Sequence, residues 1–375
     1  MSSKPSTLFG RWTDEEGNVD AETRKRDLRR FVLAALIILL LAAVAGSGGS
    51  NTSKLPSDGD DEPVPTPTPE PNSTTSNDSG SDVNNETSTE TPEVVTEEPN
   101  ETDSEYPEVV VNENWQSSAA TGSVENVDQE EFYGSIQPAI NEANTGDTIV
   151  LHGGTYTEYV NVNESVALVG RNGATIVKPD GPGWAMHVDG GPGAVVRDIT
   201  VQGEVAVGSG GVEVQNLEIH EGALSVLGSP DVIIKSTSVS HSRSEDATGY
   251  PMAGFRIQDV ENLVIRGSST TGGYVGLSAH NVTDVAVEDS SFSNAENAGV
   301  RFEQTDAVLR GVTVSDSEKG ILVSKSTVSV TETAISGNDY GIYLMFNNHV
   351  TLDGIDFTNN GENIHDETGD STVNR

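Results

Sequence analysis

The chain contains no cysteine, so an exported domain would have to hold together without disulfides, and thiolate zinc sites and cysteine nucleophiles are excluded. Basic residues are scarce: 20 Lys and Arg stand against 59 Asp and Glu, a formal net charge of −39, and only seven of the 20 are lysines. Such a surface repels nucleic-acid phosphates, which excludes nucleic-acid binding as a working reading. Well-hydrated carboxylates with few lysines, spread over the whole chain, suit a protein working in concentrated salt, where screening removes self-repulsion. A halophilic source is therefore expected.

The 375 residues are unevenly composed. Residues 1–30 are charged and end in ETRKRDLRR, with five basic residues in the last seven. The uncharged run FVLAALIILLLAAVAG follows at 31–46. With the basic end inside, this pattern predicts a single transmembrane helix acting as a signal anchor, with the rest of the chain outside the cell. As a helix the run reaches about 24 Å, slightly short of a hydrocarbon core of about 30 Å, and the small neutral flank Gly46 to Gly49 helps it span. The alternative is secretion after cleavage at Ala43-Val44-Ala45, which fits a small-x-small site. From 47 to 131 the only basic residue is Lys54, against 21 acidic ones, in Thr/Ser/Pro-rich text such as PVPTPTPEPNSTTSNDSG. Low hydrophobicity with high charge cannot offset the entropy of folding, so a disordered, self-repelling stalk is expected. Five N-x-S/T sequons, at Asn51, Asn72, Asn77, Asn85 and Asn100, favour glycosylation of that stalk, and two more stand at Asn163 and Asn281.

Beyond residue 190 one phrase returns: VVRDITV, VEVQNLEI, VIIKSTSV, LVIRGSST, VAVEDSSF, AVLRGVTV, VSVTETAI and VTLDGIDF. Its second apolar residues are Val196, Val214, Ile234, Ile265, Val287, Leu309, Val330 and Leu352, at steps of 18, 20, 31, 22, 22, 21 and 22. Looser copies centre on Leu151 and Leu168. A second ladder, Gly254, Gly276, Gly299, Gly320 and Gly341, opens short alternating strands at steps of 22, 23, 21 and 21. A period near 22 built from short strands means one coil of a parallel β-solenoid per repeat. The position after each phrase's strand holds Asp198, Asn216, Ser236, Gly267, Asp289, Gly311, Glu332 or Gly354, mostly residues that tolerate a left-handed corner. Alternation places Phe255, Ile257, Leu277, Ala279, Val300, Phe302, Ile321, Val323, Ile342 and Leu344 inside. Ahead of the coils, residues 135–143 read as a helix, with Ser135 at the N-cap, Ile136, Ala139, Ile140 and Ala143 on one face and a stop at Asn144-Thr145-Gly146. Its role would be to cover the open end of the first coil within a domain spanning 132–375.

The text SIQPAINEANTGDTIVLHGGTYTEYVNVNESVALVG, with coils such as GIYLMFNNHVTLDGIDFTNNGEN, resembles the NosD-like proteins and other pectin-lyase-like right-handed parallel β-helices, including the carbohydrate-binding and sugar-hydrolase domain group. The resemblance covers residues 132–365. It implies an all-β, right-handed parallel β-helix of about ten coils with an N-terminal capping helix. It does not imply one activity, since that architecture serves lyases, hydrolases, epimerases and adhesins. The hydrolases' Asn-x-Asp, Asp-Asp, Gly-His-Gly and Arg-Ile-Lys order is missing: Arg256-Ile257-Gln258 and His152-Gly153 stand in the wrong order without an acidic pair. Against the epimerases' Tyr-Gly-Phe-Asp-Pro-His-Asp motif, Gly276 to Asn281 keeps the Gly, apolar and His positions, but Ser278 and Asn281 replace both acids. For the copper association of NosD-like proteins, only Met345 and His349 stand close together. No catalytic residue, metal site or cofactor is therefore assigned.

The outward positions after the ladder glycines gather Arg256, Gln258, His280, Arg301 and Glu303, a polar patch suited to sugar hydroxyls and uronate carboxylates. The same residues also suit a solvated face whose charges pair across coils. The long step opens a loop, SHSRSEDATGYPM, offering His241, Arg243 and Tyr250 as a second candidate; a plain surface excursion is its alternative. His152, His187, His220, His349 and His365 read as turn or surface residues. The function expected is a membrane-anchored extracellular β-helix that binds or organises cell-surface polysaccharide or a surface-layer protein without catalysis, with oligomerisation through the C-terminal coil. The alternative is a polysaccharide-modifying lyase or epimerase. Intact mass of chain from membranes should include residues 1–45 and added glycan; a species in the medium beginning after Ala45 would instead identify cleavage.

Overall fold

The computed structural model describes residues 106, 109–116, 118–240 and 253–375. All belong to the unit Glu90–Arg375. The expected transmembrane run, the expected stalk up to residue 105 with its five sequons, and the loop residues His241, Arg243 and Tyr250 lie outside the described residues. No helix among the described residues is long and apolar enough to cross a membrane.

The described chain is an all-β parallel β-helix with one short helix. Ten three-residue strands, from Thr155–Thr157 to Asp356–Thr358, stack in parallel as one wall and count ten coils. A second wall runs from Val160–Val162 to Glu362–Asp366, and a third from Thr148–His152 to Thr372–Asn374. The long strands Val275–Glu288 and Ala298–Arg310 turn the corner between the second and third walls. Both ladders seen in the sequence are registers of this stack: Val196 lies beside Val214, then Ile234, Ile265, Val287, Leu309, Val330 and Leu352. The row continues backwards to Leu168 and then Ile149, not Leu151, which faces Gly170. Phe255, Leu277, Val300, Ile321 and Ile342 form another buried row, in line with the alternation.

All eight corner positions take positive φ, between 47° and 63°, including the less expected Ser236 and Glu332. The residue after the corner often points inward, and there a second polar device operates. Ser268 and Ser290 each return their hydroxyl to the carbonyl two residues earlier, while accepting an N–H from the coil before. At another corner the Ser317 N–H donates to Asn338 Oδ1 at 3.0 Å, and the Asn338 N–H donates to Asn360 Oδ1 at 3.1 Å. These side chains supply partners where the ladder of main-chain bonds would otherwise break inside the core.

The helix α1 spans Ile136–Glu142 and buries Ile136, Ala139 and Ile140. Ser135 occupies the N-cap position but makes no side-chain cap bond. Glu158, from the first coil, does that instead, accepting the Ile136 N–H at 3.0 Å and the Gln137 N–H at 3.1 Å. A carboxylate there also complements the partial positive charge of the exposed N–H groups. The Gln137 amide closes the strand edge: its Nε2 donates to the Asn161 carbonyl at 3.0 Å and its Oε1 accepts the Asn161 N–H at 2.7 Å. One side chain thus stands in for a neighbouring strand.

The fold also begins earlier than 132, because residues expected in the stalk are ordered against it. Strand β1 (Ser123–Asn126) pairs antiparallel with β2 (Glu131–Tyr133) and with β3 (Thr148–His152). Val109, Val111, Trp115 and Val127 cover Val150, Ala167, Val169 and Val195 on the outer face of the third wall. That face is apolar at its start, so it needs a cover, and this segment supplies one.

The glycine ladder has a packing cause. A Cβ on Gly320 would stand 2.5 Å from the Gly341 carbonyl oxygen of the next coil and 3.0 Å from both Asn338 Nδ2 and Ile335 Cγ2, with backbone on one side and core on the other. Gly320→Ala should lower stability by about 1–3 kcal/mol or more. Gly134→Ala, where a Cβ meets nothing within 4 Å, should be near neutral. Urea midpoints at fixed molar salt compare the two.

Candidate functional site

The second wall brings the five expected patch residues onto one outer face. Register sets Arg256 beside Ser278 and Ser278 beside Arg301, while Gln258 adjoins His280 and His280 adjoins Glu303. Parallel coils about 4.8 Å apart, with side chains alternating in and out, make this placement unavoidable once the inner row is buried. The first row continues through Leu322 and Tyr343 to His365, and the second through Ser324 to Met345.

Charges on this face largely satisfy one another. Arg301 Nη2 lies 2.6 Å from Glu303 Oε2, and His280 Nδ1 lies 3.7 Å from the same oxygen. Beside them Asn281 Nδ2 donates to Asp259 Oδ1 at 2.6 Å, and Gln258 Nε2 donates to Oδ2 at 3.1 Å. These amides, Asn281 first, hold the Asp259 carboxyl below its usual range, with a further contribution from His280. Arg256 is exposed and forms no ion pair with the described residues. The sequon residue Asn281 is itself exposed at a left-handed corner, with its amide committed to Asp259.

An aromatic cluster adjoins the patch and was missed from the sequence. Tyr340 and Tyr343 meet edge to face at 5.1 Å, and His365 stacks on Tyr343 at 4.9 Å. Lys319 Nζ stands 5.3 Å from the Tyr343 ring, and His365 Nδ1 lies 2.9 Å from Glu362 Oε2. Burial first, then the Glu367 carboxylate, raises the Tyr343 hydroxyl above its ordinary pKa. The signal was available: Tyr343 is two positions after a ladder glycine, in the same outward slot as Arg256 and Arg301. What the sequence did not give was the convergence of Tyr340 and His365 on it.

One histidine assignment is corrected. His152 is neither a turn nor a surface residue: it is 4% exposed, and its Nε2 lies 2.6 Å from Oε2 of Glu125, itself 2% exposed. Strand β1 lies against it, and Glu125 had been assigned to the stalk.

The family profile described as "Periplasmic copper-binding protein (NosD)" matches residues 186–374. The chain belongs to the NosD family. No match was found among curated proteins. Solved structures include the catalytic domain of a GH87 alpha-1,3-glucanase, at 14% identity and a TM-score of 0.37 over 64% of this chain and 66% of that one. Pectate lyase Pel9A follows at 14% identity and a TM-score of 0.43, over 60% and 72% of the two chains. The alginate lyase of Paenibacillus sp. str. FPU-7 is matched at 15% identity and a TM-score of 0.46, over 64% and 96%. The NosD-family chain spans just under two thirds of the glucanase domain.

The family's copper finds no matching donor set among the described residues, where no three His, Asp or Glu side chains gather into a metal-holding group. Met345 lies on the second wall, whereas His349 opens a strand of the third and has its Nδ1 3.0 Å from the Asn348 carbonyl oxygen. Thioether and imidazole donors that do not converge make no soft copper site.

The amide cradle around Asp259 gives a pH prediction. A carboxyl whose folded pKa is lowered adds stability above the ordinary carboxylate range, and that stability is lost as pH falls through the folded value. In Asn281→Ala the Asp259 carboxyl should titrate at higher pH than in the parent, observed by carbon-detected NMR, with Gln258→Ala giving a smaller rise.

Proposed function

We propose that this NosD-family protein is an extracellular, membrane-anchored β-helix that binds cell-surface polysaccharide along the outer face of its second wall without cleaving it. The observation that carries the reading is one outward row, Arg256, Ser278, Arg301, Leu322, Tyr343 and His365, accessible except at the buried Leu322 and flanked by Gln258, His280 and Glu303. Polar and guanidinium groups suit sugar hydroxyls and uronate carboxylates, and the tyrosine–histidine cluster offers a broad apolar surface to the faces of sugar rings. Successive coils repeat these contacts along the stack, which matches a polymer better than a small molecule.

The absence of cleavage rests on the charge pairing. Hydrolysis of a glycosidic bond uses two positioned carboxylates, one of them protonated. On this face Glu303 is tied to Arg301, and Asp259 is held in its ionised form by neighbouring amides. A lyase or epimerase would need a free base beside an unencumbered cation; Arg256 is such a cation among the described residues, but the nearby carboxylates Glu303 and Asp259 are already engaged by Arg301 and by Asn281. The anchor at 31–46, the glycosylated stalk and the salt-adapted surface complete the proposal: the stalk holds the β-helix away from the membrane, in contact with polysaccharide or a surface-layer protein.

Retention of full-length chain on immobilised uronate polymer should fall about tenfold in Tyr343→Ala and in Arg256→Ala, consistent with the loss of one well-placed contact. No unsaturated or epimerised product should form. Turnover that disappears in His280→Ala and Arg301→Ala would replace the binding reading with the enzymatic one.

A further inference from the structure

A second site lies on the third wall, away from the proposed polysaccharide face. Arg171 ends the strand Ala167–Arg171, and Arg197 ends Val195–Arg197 one coil later. The close approach of these coils is enforced at Gly170, where any Cβ would collide with the Asp198 carbonyl. Register pairs Arg197 with Val169, two residues before Arg171, but both guanidinium groups reach the same carboxylate, Glu113, in a domain otherwise rich in acids. A cavity of about 430 Å³ opens beside Arg171, lined by Trp115, His152, Gly170, Arg171, Asn172, Gly173 and Asp198, with Arg197 just outside that lining.

A tethered carboxylate, outside the cavity lining, already joins the two arginines. Glu113, from the covering segment, reaches Arg171 Nη2 at 3.4 Å with one oxygen and bonds Arg197 Nη2 with the other. Trp115, two residues on, lies flat on Arg171, whose guanidinium carbon is 3.7 Å from the ring centroid. The fit is incomplete: Nε of Arg171 is buried without a hydrogen-bond partner, and Nε of Arg197 has only Asp198 Oδ2 at 3.6 Å, beyond hydrogen-bond distance, while the Glu113 side chain is 57% exposed. A buried donor left unmet is costly, so one carboxylate bridging two outer nitrogens is a poor final solution for two five-donor groups. A ligand carrying a carboxylate together with hydroxyl or ring oxygens could take over the outer nitrogens that Glu113 holds and bring further acceptors to the two guanidinium groups. The cavity volume falls within the range of small-ligand sites and accommodates a sugar ring, and Trp115 supplies an apolar wall. His152, locked to Glu125, fixes the floor.

We propose that Arg171 and Arg197 form a carboxylate-binding pocket for a uronic acid residue, and that Glu113 is a built-in competitor that the ligand displaces. With Glu113 withdrawn, the two guanidinium groups face a single carboxylate, Asp198, which is itself engaged by Asn216 Nδ2 at 2.7 Å. The paired guanidiniums then offer the two-pronged geometry that carboxylates bind best.

The test uses the full chain with Trp12→Phe and Trp184→Phe, which leaves Trp115 as the only tryptophan reporter. D-galacturonate is titrated at fixed salt while Trp115 emission is followed, with D-galactose as the neutral control. Saturable binding is expected, tightened about tenfold in Glu113→Gln and in Glu113→Ala because the internal competitor is gone, and lost in Arg197→Gln. Thermal melting confirms that each variant is folded, and the two Glu113 variants guard against one of them failing to fold. The proposal is overturned if galacturonate gives no saturable change in either Glu113 variant, if neither binds more tightly than the parent, or if galactose binds equally. Because the reporter sits on the third wall, these outcomes are independent of binding at Arg256 or Tyr343.

Discussion

Everything in this fold follows from the hydrogen-bonded spacing between parallel coils. Once one strand lies about 4.8 Å above another in register, each side chain must share its row with a counterpart from the next coil. Inward rows therefore become continuous apolar columns, as with Val196 through Leu352. The same spacing leaves no room for a Cβ at Gly320, demands left-handed corners, and forces buried corner N–H groups to find oxygen on a neighbouring serine or asparagine. Outward rows obey the same rule, so Arg256, Arg301 and Tyr343 are aligned by the backbone whatever their chemistry.

Features that repeat were legible in the sequence, and features made once were not. Val287 and Gly299 each had partners one period away, so their placement could be read from spacing alone. The corner residues could be read likewise, and even Glu332 adopts the backbone its position requires. Glu158 as the helix cap, Gln137 as the edge plug and Glu125 beside His152 have no such echo. Segment 109–131 was hidden for a different reason: it shares the acidic, polar composition of the stalk, and only Val109, Val111, Trp115 and Val127 mark it as a cover. In the patch, alternation located Arg256, Gln258, His280, Arg301 and Glu303, whereas their pairing depends on side-chain geometry that no spacing encodes.

Function in such a scaffold is set by which outward slots carry which groups, not by the coil architecture. Membership of the NosD family fixes the architecture and leaves those slots to be read from this chain. Here they hold more mutual pairing than poised acid–base chemistry, as in Arg301 with Glu303 and Asn281 with Asp259. On that pattern the proposed binding role rests.

The Gln137 plug also gives the coil stack a polarity. At its first edge the main chain of Asn161 is spoken for by an amide of the same molecule, whereas the last strands, Glu362–Asp366 and Thr372–Asn374, have neighbours on one side only among the described residues. A strand added at the first edge would have to displace the Gln137 amide from both main-chain groups of Asn161, so it would lose two hydrogen bonds before gaining its own.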